Sequence, residues 1–522
     1  MKDISSFQEM VYWLHMNWRN GMTIQEAKNV LPPDFSWVDV SDEGFRNALA
    51  DIVERKSEVL LVLGQGGCGK SVLYEIAYHL NPTKTKALAS TGRAAENLSS
   101  SSGIKASTVH SGLFIGAKEF YHEPYLPHSS LKKNPLEGVD TVLIDEVSMI
   151  SSNLMDMIFW IRREAQKQNG CNIRLILFGD PLQLPPVVPD DVRTIWSKKY
   201  PDEWKKAYGN GIDFFSSRLF NEEEHNIVVL SRVMRQGDSQ KALKGALDHI
   251  RVGAVTKSDA DVFLKCVRTE EEFSSSLPDK VSYITLTGTN KEADSINRGR
   301  MKDYEDVMLT YRSGFALSGE EVDGELSDLL AKTYEKEFQS AFPQYFTLSN
   351  GHWTSNLQLY VGMQVMVTVN DRRNGICNGT IAKVEEIYGL SSDGPYDANA
   401  RIKISYPGEN KKERSCFVTP VRVGISKRFI KMDYDDPNWN EEFAYMMVLP
   451  LRPAYALTFH KAQGLTLDYV YIKSDTSFSS PGAMYVALSR CRTLEGIGMS
   501  SPLNLSTLNP SESALAFYKN IK

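Results

Sequence analysis

Gly64-Gln65-Gly66-Gly67-Cys68-Gly69-Lys70-Ser71 decides the fold, because the period of the chain changes across it. The stretch has a glycine, four residues and then Gly-Lys-Ser, the phosphate-loop pattern. Before it, Val59-Leu60-Leu61-Val62-Leu63 is a continuous apolar run, as a strand buried on both faces of a parallel sheet requires. After it, Val72, Leu73, Ile76, Ala77 and Leu80 recur at helical spacing, and Asn81-Pro82 ends the helix. The glycines let backbone N–H groups turn inward toward phosphate oxygens, and the helix N-terminus adds about half a positive charge there. Lys70 is placed to reach the β- and γ-phosphates, and the Ser71 hydroxyl to ligate Mg²⁺. A bare glycine-rich turn explains the loop but not both flanks. The stretch reads as a nucleotide site.

Outward from it, strand-like runs alternate with helical ones from about residue 41: Ala87-Leu88-Ala89, Val142-Leu143-Ile144 and 173–178. Ligands of open α/β sheets sit at the carboxyl ends of strands, so the polar loops after these runs are the candidate site. Asp145-Glu146 ends the third run. Paired carboxylates there suit phosphoryl transfer, with Asp145 on the metal and Glu146 deprotonating the attacking water. The fourth run delivers Gly179-Asp180-Pro181-Leu182-Gln183-Leu184-Pro185-Pro186, where Gln183 is placed to sense the γ-phosphate. The second run leads into Ser90-Thr91-Gly92-Arg93-Ala94-Ala95, with Asn97 one turn on and Thr108-Val109-His110-Ser111 beyond. Such residues bring N–H groups to sugar-phosphate, or simply cap a helix; the residues alone leave both open.

Residues 113–136 are aromatic and proline-rich and read as an excursion from the sheet. A second alternating region starts near residues 227–230, and between about 360 and 449 the period becomes two. Val365, Val367 and Val369 alternate, and Asn378-Gly379 is a hairpin signal, so a small barrel is expected. Arg372, Arg373, Lys427, Arg428, Phe429 and Lys431 suit either single-strand binding or a solvated face. The α/β pattern then resumes.

The net charge is -6, so nucleic acid must be held by a local groove rather than a global field. The six cysteines form no CxxC pair, which argues against a zinc site or disulfide framework. Without a signal core or an apolar run of ~20 residues, a soluble intracellular protein with no membrane contact is expected.

Seven stretches now stand in one order: 64–71, 90–95 with 108–111, 145–149, 179–186, 233–236 (Val-Met-Arg-Gln), 458–464 (Thr-Phe-His-Lys-Ala-Gln-Gly) and 485–490 (Tyr-Val-Ala-Leu-Ser-Arg). Together they resemble superfamily-one DNA helicases of the RecD-like branch, of the PIF (petite integration frequency) and Dda type. The resemblance implies an α/β protein with two RecA-like parallel-sheet domains, a small wedge insertion and an SH3-like β-barrel insertion. The expected division is a cap over 1–40, a first RecA-like domain over 41–225 with the wedge at about 113–136, a second over 226–359 and 450–522, and the barrel over 360–449. It further implies ATP and Mg²⁺ as cofactors and a monomer moving 5′ to 3′ on single-stranded DNA and opening forked or tailed duplex. Gly64 to Ser71, Gln183 and Gly464 would face the nucleotide, with Arg235 and Arg490 as arginine fingers. Thr91, Gly92, Arg93, Asn97, His110, Ser111, Thr458, His460 and Lys461 would contact the strand. The family's adenine-reading glutamine upstream of the loop has no counterpart in Ser41-Asp42-Glu43-Gly44-Phe45-Arg46, and Cys68 stands where threonine is usual.

Overall fold

In the computed structural model, the described residues run from 42 to 521, less 93, 96–97, 99–103, 116–132, 187–210, 232–239, 279–281, 303, 305–307, 323–326, 328, 335–337, 339–346, 350–351, 370–375, 377–379, 391–396, 408–412, 427–441, 464, 466, 475–479, 506–507 and 509. The chain divides into two compact units, one of residues 1–277 and 459–522, the other of 278–458.

The first unit is built on β1 (Val59–Leu63), β2 (Thr85–Ala89), β3 (Ala106–Thr108), β4 (Thr141–Asp145), β5 (Arg174–Gly179) and β6 (Asn226–Val229). They form one sheet in the order β3-β2-β4-β5-β1-β6, parallel throughout. All of β1 is buried, as its unbroken apolar run requires. Leu60 and Val62 pack on one face with Leu73 and Ile76 of the helix Lys70–Leu80. Leu61 and Leu63 pack on the other with Leu154 and Phe159 of the helix Ser152–Asn169. Burying these large side chains contributes about 1.5–3 kcal/mol each. Every strand of the sheet therefore ends on the same edge, where the motif loops begin.

β6 corrects one expectation. Residues 226–229 pair with β1, Leu60 opposite Asn226 through Leu63 opposite Val229, so they complete the first sheet rather than open a second domain. The first unit also contains the parallel pair Val470–Ile472 and Ile497–Met499, the helices Lys241–Val252 and Ala483–Leu488, and the C-terminal helix Glu512–Ile521. That last helix lies against the first sheet's core, with Phe517 stacked on Phe215 at 4.4 Å between ring centroids.

In the second unit, Ile284–Thr287 pairs in parallel with Ala456–Thr458, and the helix Asn290–Met301 is tied to that edge through Asn297 and the backbone of Ala456. The period-two region forms two antiparallel sheets. One has five strands, from Glu413–Val418 to Leu451–Pro453; the other joins Val421–Ser426, Glu442–Val448 and Gly314–Leu317. Strands thus come from both sides of the expected 360–449 segment. Gly314–Leu317 is only four residues long, and the Ser318-Gly319 turn that ends it does not say which strand it pairs with.

Candidate nucleotide site

The loop after β1 is held open by hydrogen bonds between strand ends. Gly64 N donates to Gly179 O at 3.1 Å, and Leu230 N to Leu63 O at 2.7 Å. Gly67 and Gly69 have φ of 87° and 97°, backbone that side chains rarely adopt, so glycine is required at both. A Cβ on Gly64 would meet the Cys68 sulfur at 2.5 Å; the buried thiol thus packs under the loop. Lys70 Nζ curls back to donate to Gly64 O at 2.5 Å and Gln65 O at 2.9 Å. Its ammonium therefore sits inside the cradle that the loop forms.

Asp145 is the last residue of β4, and burial followed by the neighbouring Glu146 pushes its carboxyl up to about 7, against the pull of Lys70. A divalent cation would relieve that repulsion. Mg²⁺ takes one or two protein ligands and completes its shell with water and phosphate oxygens, so Asp145 and the Ser71 hydroxyl fit it. Glu146 has φ of 52°, a left-handed backbone for a residue with a side chain, which costs about 1 kcal/mol and suits a site that needs its carboxylate aimed.

Gln183 is buried, with Nε2 3.4 Å from Asp180 Oδ2. Asp180 is fully buried and accepts a fork from Arg251, at 3.0 Å from Nε and 2.7 Å from Nη2. Burial alone would raise the Asp180 carboxyl, but the guanidinium outweighs it and holds the carboxyl below its ordinary range. Tyr518 from the C-terminal helix joins, accepting from Arg251 at 2.8 Å and donating to Asp180 at 3.3 Å.

Arg490 is buried and donates to Val486 O, Leu465 O and Ser489 Oγ at 2.8, 3.3 and 2.8 Å. Four residues of the 459–522 segment that the sequence reading left without a role, or quoted only inside motifs, approach the first sheet's loops. Gln463 Nε2 lies 3.5 Å from Glu146 Oε2, and Tyr485 OH 3.5 Å from Gln65 Oε1. Gly482 (φ 74°) sits so close to the motif loop that a Cβ would lie 2.7 Å from Gln183 O. Tyr518 is the fourth, and Arg251 of the helix Lys241–Val252 is a further missed partner.

Among the expected strand contacts, Thr91 Oγ1 accepts from Ala94 N at 3.1 Å and Thr108 Oγ1 from Ser111 N at 3.2 Å, so both act as helix caps here. Gly92 has open space around its Cα, and Ser111 is exposed. His110 and His460 are partly buried, and burial lowers the pKa of each imidazole, favouring the neutral ring. Lys461 shares the short helix Phe459–Ala462 with His460, and Thr458 is buried at the end of the preceding strand. Arg93, Asn97, Arg235 and Gly464 lie outside the described residues, as do Arg372, Arg373, residues 427–431 and most of the wedge segment.

Residues 47–189 match the AAA domain family. The chain is 28% identical over 472 residues to the ATP-dependent DNA helicase PIF1 of Danio rerio, covering 88% of this chain and 61% of that protein. It is 27% identical over 457 residues to the human ATP-dependent DNA helicase PIF1, covering 85% and 58%. The chain thus spans about 60% of the length of these animal relatives. Among solved structures, Pif1 helicase from Candida albicans superposes with a TM-score of 0.67 at 22% identity, over 91% of this chain and 98% of that one. Bacteroides Pif1 bound to single-stranded DNA superposes with a TM-score of 0.65 at 24% identity, over 92% and 96%.

Proposed function

We propose that this chain, a PIF1-type member of helicase superfamily one, is an ATP-hydrolysing motor that moves along single-stranded DNA and opens forked or tailed duplex. One observation carries the reading: side chains of the 459–522 segment converge on the phosphate loop and on the loops after β4 and β5. A nucleotide in that cradle would touch both parts, so binding and hydrolysis would alternately close and open them. A passive nucleotide switch needs no such convergence.

In this reading Lys70 and the loop amides hold the β- and γ-phosphates, and Gln183 reports the γ-phosphate to the Asp180–Arg251 pair. Mg²⁺ held by Ser71 and Asp145 would supply positive charge on the phosphate oxygens. Glu146 takes a proton from the attacking water. Arg490 and Arg235 supply charge to the transferring phosphoryl group; for Arg490 this requires leaving its present carbonyl partners, a change that closure would drive. His110, His460 and Lys461, with Thr91, Gly92, Arg93, Asn97, Ser111 and Thr458, are the candidate contacts to the strand, and backbone gripping of that kind is largely independent of sequence.

Unwinding of duplexes with 5′ or 3′ single-stranded tails tests the reading. Opening of the 5′-tailed duplex with ATP, lost in Arg490→Ala along with ~10³-fold of the strand-stimulated ATPase, is the expected result. Hydrolysis indifferent to any nucleic acid would favour the switch, and stimulation by RNA alone an RNA helicase.

A further inference from the structure

Gln463 follows the helix that carries His460 and Lys461, and its backbone N–H donates to His460 O at 3.3 Å. Its side chain is 6% exposed, and the two ends of the amide differ. Nε2 faces Glu146 Oε2 at 3.5 Å, a long contact of the kind that tightens when a reactive complex forms. Oε1 is buried with no hydrogen-bond partner among the described residues. A buried amide oxygen without a donor costs roughly 1–3 kcal/mol, so the position is expected to acquire a donor when the site fills. Glu146 shows the same preparation, since its left-handed backbone aims the carboxylate at a cost.

Resting on the motor reading above, we propose that Gln463 is a further catalytic residue: Nε2 orients Glu146, and Oε1 accepts a hydrogen bond from the attacking water. The step then balances simply. One water hydrogen passes to the Glu146 carboxylate while the other stays bonded to oxygen and points to Gln463 Oε1. The water oxygen bonds to the γ-phosphorus as the bond from that phosphorus to the bridging oxygen of ADP breaks. Because the Gln463 backbone is bonded to His460 O, a strand seated on His460 and Lys461 sets where this amide stands. Strand binding thereby completes the water site, which gives strand-stimulated hydrolysis a physical route of one helical turn.

Gln463→Met keeps length and apolar packing but removes both ends of the amide, and Gln463→Glu keeps shape but removes the donor. In the full chain with ATP, Mg²⁺ and saturating oligo-dT, both variants should lose about ten- to hundredfold in kcat. KM for ATP and Kd for fluorescent oligo-dT should stay near wild type, and the unfolding temperature should not fall. The ratio of strand-saturated to strand-free kcat should shrink. A kcat within twofold of wild type in either variant overturns the proposal, as does a loss that appears in KM, in Kd or in the unfolding temperature. Equal loss with and without the strand overturns the coupling. A wild-type protein whose ATPase ignores oligo-dT fails earlier and differently, removing the motor reading itself.

Discussion

Two neighbouring strands end in aspartates that behave in opposite ways. Asp145 closes β4, and burial beside Glu146 pushes its carboxyl up to about 7. Asp180 follows β5 by one residue and is more deeply buried, yet the forked contact with Arg251 holds it ionised. Residue type and position in the sheet are the same; the partner decides. At β4 the protein leaves negative charge that a ligand must neutralise, whereas at β5 it neutralises the charge itself. The first arrangement suits chemistry, and the second suits a fixed contact that holds the loop after β5 to the helix Lys241–Val252.

The largest effects should come from the β4 side. Glu146→Gln should retain binding of a fluorescent ATP analogue and lose about 10²–10⁴-fold in kcat, while Lys70→Ala should lose hydrolysis and much of the binding. Near-normal turnover in Glu146→Gln would erase the contrast between the two strand ends.

The β5 side should answer in stability. Arg251→Met leaves Asp180 buried without its counter-charge, a cost of about 3–5 kcal/mol that urea unfolding would read. Asp180→Asn with Arg251→Met removes both charges and should recover most of it. If the double variant is no more stable than the single, the pair is not an electrostatic unit. The pH dependence separates the two aspartates further. The Asp180 carboxyl is depressed, so its contribution is present above its unfolded value of ~3.9 and is lost only as pH falls through its lower folded value. The Asp145 carboxyl is raised, so between ~4 and about 7 the ligand-free folded state holds a proton that the unfolded chain has released. Stability should therefore fall as pH rises through that window and level off above it. Asp145→Asn should abolish the decline in unfolding temperature, and the Asp180/Arg251 double variant should not.

This contrast was half legible in the sequence. The phosphate loop, the β1 run and Asp145-Glu146 carry their meaning in local pattern, because a glycine turn, a buried strand and an acidic strand end are each set by adjacent residues. Arg251 carries none. It follows Ile250 at the end of an amphipathic helix, where a cation reads as a partner for the helix C-terminus, and only the tertiary fold brings it to Asp180. Gln463 and Tyr485 stood inside quoted motifs, but their neighbours there suggested the strand and the arginine finger rather than Glu146 and Gln65. β6 was misplaced for a related reason: Asn226-Ile227-Val228-Val229 reads as a strand, but nothing local says which sheet it joins.

The smallest expected effect concerns the base rather than the phosphates, and it extends the contrast to the edge of the first sheet. There Asp42 is already committed: its carboxylate caps the helix Glu43–Glu54 through Phe45 N at 2.9 Å and accepts from Ser231 N and Oγ at 2.8 and 2.9 Å. The segment that would hold the family's adenine-reading glutamine thus offers no glutamine, and its nearest polar side chain is used in structure. A site that hydrogen-bonds one base rejects another because buried groups are left unpaired, and a site lacking those groups rejects little. GTP should therefore support strand-stimulated hydrolysis within about tenfold of ATP, since one lost contact is worth ~1 kcal/mol. Comparing kcat/KM for the two nucleotides on the same oligo-dT decides it. A preference for ATP above about a hundredfold exceeds what one such contact supplies, and would place a base reader in Gln25 or in a backbone amide near residues 41–46.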